Sequence, residues 1–384
     1  MTALPDQAAA DHEAILSHVQ RYAGNYYPEL TPGPISVSLL GRHMRTRSAL
    51  YIFRLAAPTA NRLVVAKISK PFQRVARIDD ATSFRLEARP YLTPPIDPAR
   101  VPLLQYRGLK LMHERLSTVH DSRFGTIRPL DFIRDRRVMI MQHVSEPTLS
   151  DVLRSAARLS FPSSPRALPT LMSNAGAWLR VYHELEYGTC LTMHGATREH
   201  FVEAIATFAD YLHAAGGDRS FFRSLTNKVE ASAKSAIPDL LPLGLSHGDY
   251  APRNVFAGRG NRITGFDALP RLRAPIYEDL GRFVMGLRSA GLQVISLGLA
   301  YQSHRLEDYE RSFLAGYFAT KAPPLRAIGL YQLLILLDKW SALTSRSRPK
   351  RIRYRLEMAA RGPLSHRHFR KEAERLLKGL EEGE

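Results

Sequence analysis

The stretch Ser246-His247-Gly248-Asp249-Tyr250-Ala251-Pro252-Arg253-Asn254, with Gly265-Phe266-Asp267 shortly after it, decides how this chain is read. An Asp is followed five residues on by an Asn, and beyond a short apolar strand by a second Asp. Asp249 is a side chain able to accept a proton from an attacking hydroxyl. Asn254 and Asp267 are hard oxygen donors of the kind magnesium prefers. The intervening Val255-Phe256 and Arg262–Phe266 are predicted to pair as a hairpin turned by Gly258-Arg259-Gly260-Asn261, which brings Asn254 and Asp267 to one end. The plainer alternative is a polar loop that uses Asp and Asn as turn residues.

Taken together, that spacing is a working set for phosphoryl transfer. The composition sets the bounds around it. The chain has 384 residues, enough for one large domain or two lobes with real cores. Apolar content of 45% and charged content of 23% are ordinary for a globular protein. A formal net charge of +18 is not ordinary. It attracts polyanions: nucleotide phosphates, nucleic acid, anionic lipid or anionic glycan. An Arg-rich genome is the bland alternative. The single cysteine, Cys190, excludes an internal disulfide framework and a cysteine metal cluster, and fits a reducing compartment. Met1–Ala10 carries Asp6 and no long apolar run, so no signal peptide is expected. No stretch reaches about 18 uninterrupted apolar residues, so no transmembrane helix is expected either. The expected location is cytoplasmic, with peripheral membrane contact as a variant of it.

Outward from the motif, Ile35 to about Lys70 is strand-like, in runs at Ile35–Leu39, Leu50–Leu55 and Leu63–Ile68. Val138–Val144 reads as a buried strand. Asp11–Tyr22 reads as a short helix capped by Asp11, Tyr106–Val119 as a helix, and Thr148–Ala156 as a helix capped by Thr148 or Ser150. The charged stretch Ile78–Tyr91 is helix or loop. Helical spacing dominates from about 170 onward, in Leu171–Leu185, Phe201–Ala215, Tyr277–Leu287 and Leu330–Leu343. The expected architecture is α+β. A β-rich amino-terminal lobe with a leading helix spans 1–143, and a mainly helical carboxy-terminal lobe spans 144–384.

On His247-Gly248-Asp249, Asn254 and Asp267 the chain resembles the aminoglycoside phosphotransferase and choline kinase-like family of the protein kinase-like fold. The resemblance covers about Ile35 to Gly286. It implies a two-lobed fold that binds ATP and Mg2+ and moves the γ-phosphoryl group to a hydroxyl of a small molecule or sugar. It makes Asp249 the catalytic base, and Asn254 and Asp267 the magnesium ligands. Gly265-Phe266-Asp267-Ala268 lacks a glycine after the Asp, which argues against a protein kinase proper. Arg253 is suited to counter phosphate charge. Asp279 resembles the position that braces the catalytic loop, with a helix N-terminal acid as the alternative. His183 reads as a buried structural histidine.

Further positions follow in the order such a resemblance implies. Lys67, after Val64-Val65-Ala66, resembles the strand lysine that contacts the α- and β-phosphates. Glu114 is its expected acidic partner, with Glu87 competing. Met139–Val144 resembles the strand that links the lobes, where backbone groups of Met141 to Val144, His143 included, would hold adenine. The phosphate-covering turn departs from the pattern. Gly41-Arg42-His43-Met44-Arg45-Thr46-Arg47-Ser48 has one glycine and three arginines, leaving Ser48 and backbone amides to bind phosphate. That departure keeps open a catalytically degenerate scaffold, a pseudokinase acting through its basic surface. Ser345–Lys371 carries ten Lys and Arg against one acid, Glu357. Such a segment suits an anionic glycan or a membrane surface. No nucleic-acid-binding signature accompanies it, so nucleic acid is not the expected partner. The acceptor pocket is expected in the helical lobe, from segments 185–225 and 290–345.

Overall fold

The computed structural model describes residues 4–45, 48–69, 90–157, 167–188, 191–289, 293–294, 296–346 and 352–381. Two compact units emerge: Met1–Arg77 with Ile96–Thr118 and Thr126–Ser145, and Ile78–Pro95 with Val119–Gly125 and Glu146–Glu384. Most of the charged stretch from Ile78, Glu87 within it, Cys190 and part of the basic carboxy-terminal segment lie outside the described residues.

The first unit is a five-stranded antiparallel sheet: β1 (Ser36–Met44), β2 (Ser48–Ala56), β3 (Asn61–Ser69), β4 (Pro129–Ile133) and β5 (Val138–Gln142), in the order β1-β2-β3-β5-β4. Alternation sets the faces of β2. Ala49, Tyr51, Phe53 and Leu55 are buried, whereas Arg54 is exposed. In helix α1 (Leu4–Tyr26), Ile15, Val19, Ala23 and Tyr26 recur at helical spacing, and they join the same core as Phe53, Val64 and Ile140. The helix begins at Leu4, well before Asp11, so its start is not at the expected position; Ala8-Ala9-Ala10 are strong helix formers. Helix α2 (Val101–Leu116) completes the unit.

The second unit is mainly helical, with α3 (Leu149–Ala157), α4 (Ala167–His183), α5 (Arg198–Ala214), α6 (Arg219–Ala236), α7 (Ile276–Arg288), α8 (Ser303–Phe318), α9 (Leu325–Arg346) and α10 (Ile352–Glu381). Thr148 caps α3 as expected: its hydroxyl donates to Asp151 at 2.6 Å and accepts the Asp151 amide at 3.2 Å. Two small sheets interrupt the helices. One has the order β6-β10-β7, from Thr192–Met193, Leu272–Pro275 and Leu243–Leu245. The other is the hairpin of β8 (Val255–Ala257) and β9 (Ile263–Gly265). The run Leu333–Leu337 in α9 is buried all round, which anchors the helical core. No described helix is long and apolar enough to cross a membrane.

Candidate active site

Strand β7 delivers the chain into the loop that carries Asp249. Gly248 turns it at φ 78°, a left-handed conformation that glycine adopts without Cβ strain. The loop is held from below by Asp279, in the first turn of α7. Its carboxylate accepts the His247 amide at 2.7 Å and the Gly248 amide at 3.1 Å. Asp279 is only 2% exposed, so it works as a brace and not merely as a helix-end acid. Burial opposes its ionisation, but the hydrogen bond from His183 and the nearby Arg282 guanidinium help to outweigh that, and Asp279 is held below the usual carboxylate range. His183 is the buried structural histidine expected, 3.3 Å from Asp279 and 2.8 Å from the Tyr317 hydroxyl.

An aromatic stack fixes the loop laterally. Trp178 of α4 stacks on Tyr182 and on Tyr250, each with centroids 5.4 Å apart, and the Tyr250 hydroxyl donates to the Ala175 carbonyl at 2.9 Å. His247 lies fully buried against these rings, and its two ring nitrogens have no hydrogen-bond partner among the described residues. Burial pushes its pKa down, which keeps it neutral. Gly265 of β9 touches the same stack: a Cβ there would come within 2.4 Å of the Trp178 ring.

The hairpin forms with Val255 opposite Gly265 and Ala257 opposite Ile263, and the Phe266 amide donates to the Asn254 carbonyl at 3.1 Å. Asn254 and Asp267 are thereby brought to one end, as the spacing predicts. The Asn254 amide nitrogen donates both to the Asp249 carbonyl at 2.8 Å and to its carboxylate at 3.0 Å. With the nitrogen committed to Asp249, the Asn254 side-chain oxygen is the atom left for a cation. Asp267 adopts φ 62°, in the left-handed region that Asp and Asn enter more readily than most residues with a side chain. Arg253, suited to counter phosphate charge, ion-pairs with Asp249. Among the described residues no group of three or more His, Cys, Asp or Glu is placed to hold a metal. One carboxylate plus one amide oxygen fits magnesium, which takes few protein ligands and completes its shell with phosphate and water.

The residues expected to grip nucleotide lie in the first unit. Lys67 is buried in β3, between Leu50 of β2 and Met139 of β5. Glu114 is in the last turn of α2, 57% exposed, and its ion pair is with Lys110 at 3.6 Å. An acid committed to a surface i,i+4 pair is not a partner for a buried lysine, so Glu114 is withdrawn from that role. Met141 pairs with Val65 of β3 on one side and Pro129 of β4 on the other. The next two amides are also used, Gln142 to the Arg128 carbonyl at 3.0 Å and His143 to the Leu63 carbonyl at 3.2 Å. The phosphate-covering turn is shorter than expected. Gly41, Arg42, His43 and Met44 belong to β1, paired down to Met44 opposite Ala49, and the Arg45 amide closes onto the Ser48 carbonyl at 2.8 Å. Ser48 itself is buried at the start of β2.

Comparison with models of protein families finds no match, and comparison with curated proteins finds none. Solved structures do match. An ethanolamine kinase from Plasmodium vivax aligns over 92% of this chain and 85% of its own, at 10% identity and TM-score 0.52. A choline/ethanolamine kinase family protein from Mesorhizobium loti aligns over 93% and 98%, at 14% identity and TM-score 0.47. A spectinomycin phosphotransferase in complex with ADP and spectinomycin aligns over 95% and 98%, at 13% identity and TM-score 0.49. The fold is protein kinase-like. The β-rich amino-terminal sheet and the helical remainder are the α+β arrangement expected from the motif.

Two features of the site escaped the sequence. One is the Trp178, Tyr182 and Tyr250 stack, whose members lie far apart in the chain. The other is a cavity of about 220 Å3 beside the loop, lined by Ser150, Arg154, Arg253, Ser289, Tyr301 and Lys339 among others. It draws on the 290–345 segment expected to supply an acceptor pocket, but on nothing from 185–225. Its one advance signal is Asp338-Lys339, a charged pair within the otherwise uncharged Leu330–Leu343 run.

Proposed function

We propose that the protein is a phosphotransferase that moves the γ-phosphoryl group of ATP to a hydroxyl of a small molecule or sugar. The observation that carries this reading is the Asp249 carboxylate, held by Asn254 on a loop braced by Asp279. Each carboxylate oxygen of Asp249 already accepts one bond and keeps a lone pair for another. An acceptor hydroxyl can therefore be oriented without breaking the Arg253 or Asn254 contact. As the acceptor oxygen bonds to the γ-phosphorus, its proton passes to Asp249, the bond to the bridging oxygen breaks, and ADP leaves. Asn254 and Asp267 would hold magnesium, which when bound neutralises charge on the phosphates. Lys67 would meet the α- and β-phosphates, and Ser48 with the turn amides would meet the phosphate chain. With the Gln142 and His143 amides engaged, carbonyls of Met141 and His143 and the amide of Val144 are the hinge groups proposed to read adenine. A kinase of an amino alcohol having the same fold makes hydroxyl phosphorylation the natural reaction to test.

A nucleotide-binding scaffold without turnover is favoured by one observation, the short β1–β2 turn. An ATP-consumption screen against pooled sugars, amino alcohols, aminoglycosides and nucleosides separates the two, with mass spectrometry on the products. The phosphotransferase reading expects a phosphorylated acceptor that requires magnesium. The scaffold reading expects nucleotide binding and no product. Failure to bind either ATP or magnesium contradicts both.

A further inference from the structure

The cavity beside Asp249 is lined by three cationic side chains, Arg154, Arg253 and Lys339, and by no acid among the described residues. Two of the three already have counter-ions: Arg154 pairs with Asp151 at 3.0 Å, and Arg253 with Asp249. Lys339 does not. Its ammonium donates to the Ser289 hydroxyl at 2.9 Å and forms no ion pair among the described residues. The acid next to it, Asp338, pairs with Arg282 at 3.6 Å. A desolvated ammonium without a counter-ion is costly. Burial first, and then the Arg253 and Arg282 charges, push Lys339 down to about 7, only partly offset by Asp249 and Asp338. An anion entering the cavity would relieve that cost and add charge-assisted bonds from three donors. Arg253 ties the cavity directly to the base, because the same guanidinium lines the one and bonds the other.

We propose that this cavity receives the anionic end of the acceptor, a small hydroxylated compound bearing a carboxylate or phosphate, while its hydroxyl faces Asp249. The assignment rests on the phosphotransferase reading of Asp249. Size and charge both restrict the occupant. At about 220 Å3 the cavity is below the roughly 300–1,000 Å3 of sites for drug-sized ligands, which suits the end group of an acceptor. Three cations without a lining acid disfavour a cationic amino alcohol.

The test is calorimetric titration of the full chain, without nucleotide or magnesium, with D-glycerate, gluconate and glycerol 3-phosphate. Ethanolamine and glycerol serve as cationic and neutral comparisons. At least one anion is expected to bind and ethanolamine is not. Lys339→Met should weaken the anion about ten-fold or more, the loss of one charge-assisted bond. Because it removes a partly buried ammonium that forms no ion pair among the described residues, its thermal unfolding should be no lower than wild type. Arg154→Met, at a more exposed site, should weaken binding in the same direction and serves if Lys339→Met fails to fold. Ethanolamine binding with no anion bound, or anion binding unchanged in both variants, overturns the proposal. The same compounds are then offered with magnesium and ATP. An anion bound but never phosphorylated contradicts the phosphotransferase reading and leaves the anion site standing. Ethanolamine phosphorylated with no anion bound contradicts the anion site alone.

Discussion

The loop around Asp249 and the turn between β1 and β2 are both places where the sequence points to phosphate chemistry, yet they are built by different means. The Asp249 loop is anchored by side chains from distant elements: Asp279 beneath its amides, Trp178 and Tyr182 beside its rings, Asn254 on its carboxylate. The β1–β2 turn is anchored by local pairing, with the Arg45 amide closing onto Ser48 and β1 largely exposed. A base and metal ligands must be held to within a fraction of an ångström, which requires packing from several directions. A turn held by its own hairpin pairing makes no comparable demand on the residues in it, and here the sequence offers one glycine and three arginines.

The contrast can be broken by substitution. The largest stability effect is expected at Asp279. Asp279→Ala strands the His247 and Gly248 amides and the Nε2 of His183, and should cost about 3–5 kcal/mol in denaturant unfolding. A loss under 1 kcal/mol would mean that the loop does not depend on its brace. Gly265→Ala is next. The added methyl meets a Trp178 ring trapped between Tyr182 and Tyr250, for about 1–3 kcal/mol, and it displaces the strand that carries Asp267. Magnesium dependence should weaken in parallel with stability.

Glu278 sharpens the comparison through pH. Burial first, then Asp279 and Asp338, raise its pKa to about 8 against the opposing charge of Arg282. A carboxyl raised on folding contributes stability below its unfolded pKa, near 4.5, and loses it as pH climbs through 8. Wild type should therefore lose up to about 1.4 kcal/mol per pH unit across that window relative to Glu278→Gln, read from unfolding midpoints at several pH values. Equal slopes in the two proteins would remove Glu278 as the source. At the small end, Arg45→Ala in the β1–β2 turn should change stability by no more than about 0.5 kcal/mol.

How much of this was legible in the sequence follows the same division. Asp249, Asn254 and Asp267 were readable because their spacing is local: a tight loop, a three-residue strand and a hairpin return. Lys67 was placed on its strand by the continuous β-rich run Leu63–Ile68. Glu114 was misjudged as its partner because helix position says nothing about which face meets the sheet, and the exposed face took Lys110 as partner. The phosphate turn was drawn too wide because Gly41 reads as a breaker, whereas it pairs within β1 beyond the irregularity at Leu39–Gly41. Trp178 and Arg154 were invisible as site residues, and Lys339 showed only as half of a charged pair in a largely apolar helix. Their roles arise from helices that converge only in three dimensions, and each looks in isolation like a core ring or a surface charge.

The central claim is that Asp249 is a positioned base and not a turn residue. Its most direct measurement is transfer of labelled γ-phosphate from ATP to an acceptor pool by wild type and by Asp249→Asn, with unfolding midpoints taken on both. A side chain that orients and deprotonates the acceptor predicts a fall in turnover of about 100- to 10,000-fold, at nearly unchanged stability and nucleotide affinity. Turnover in the variant within a few-fold of wild type would contradict it.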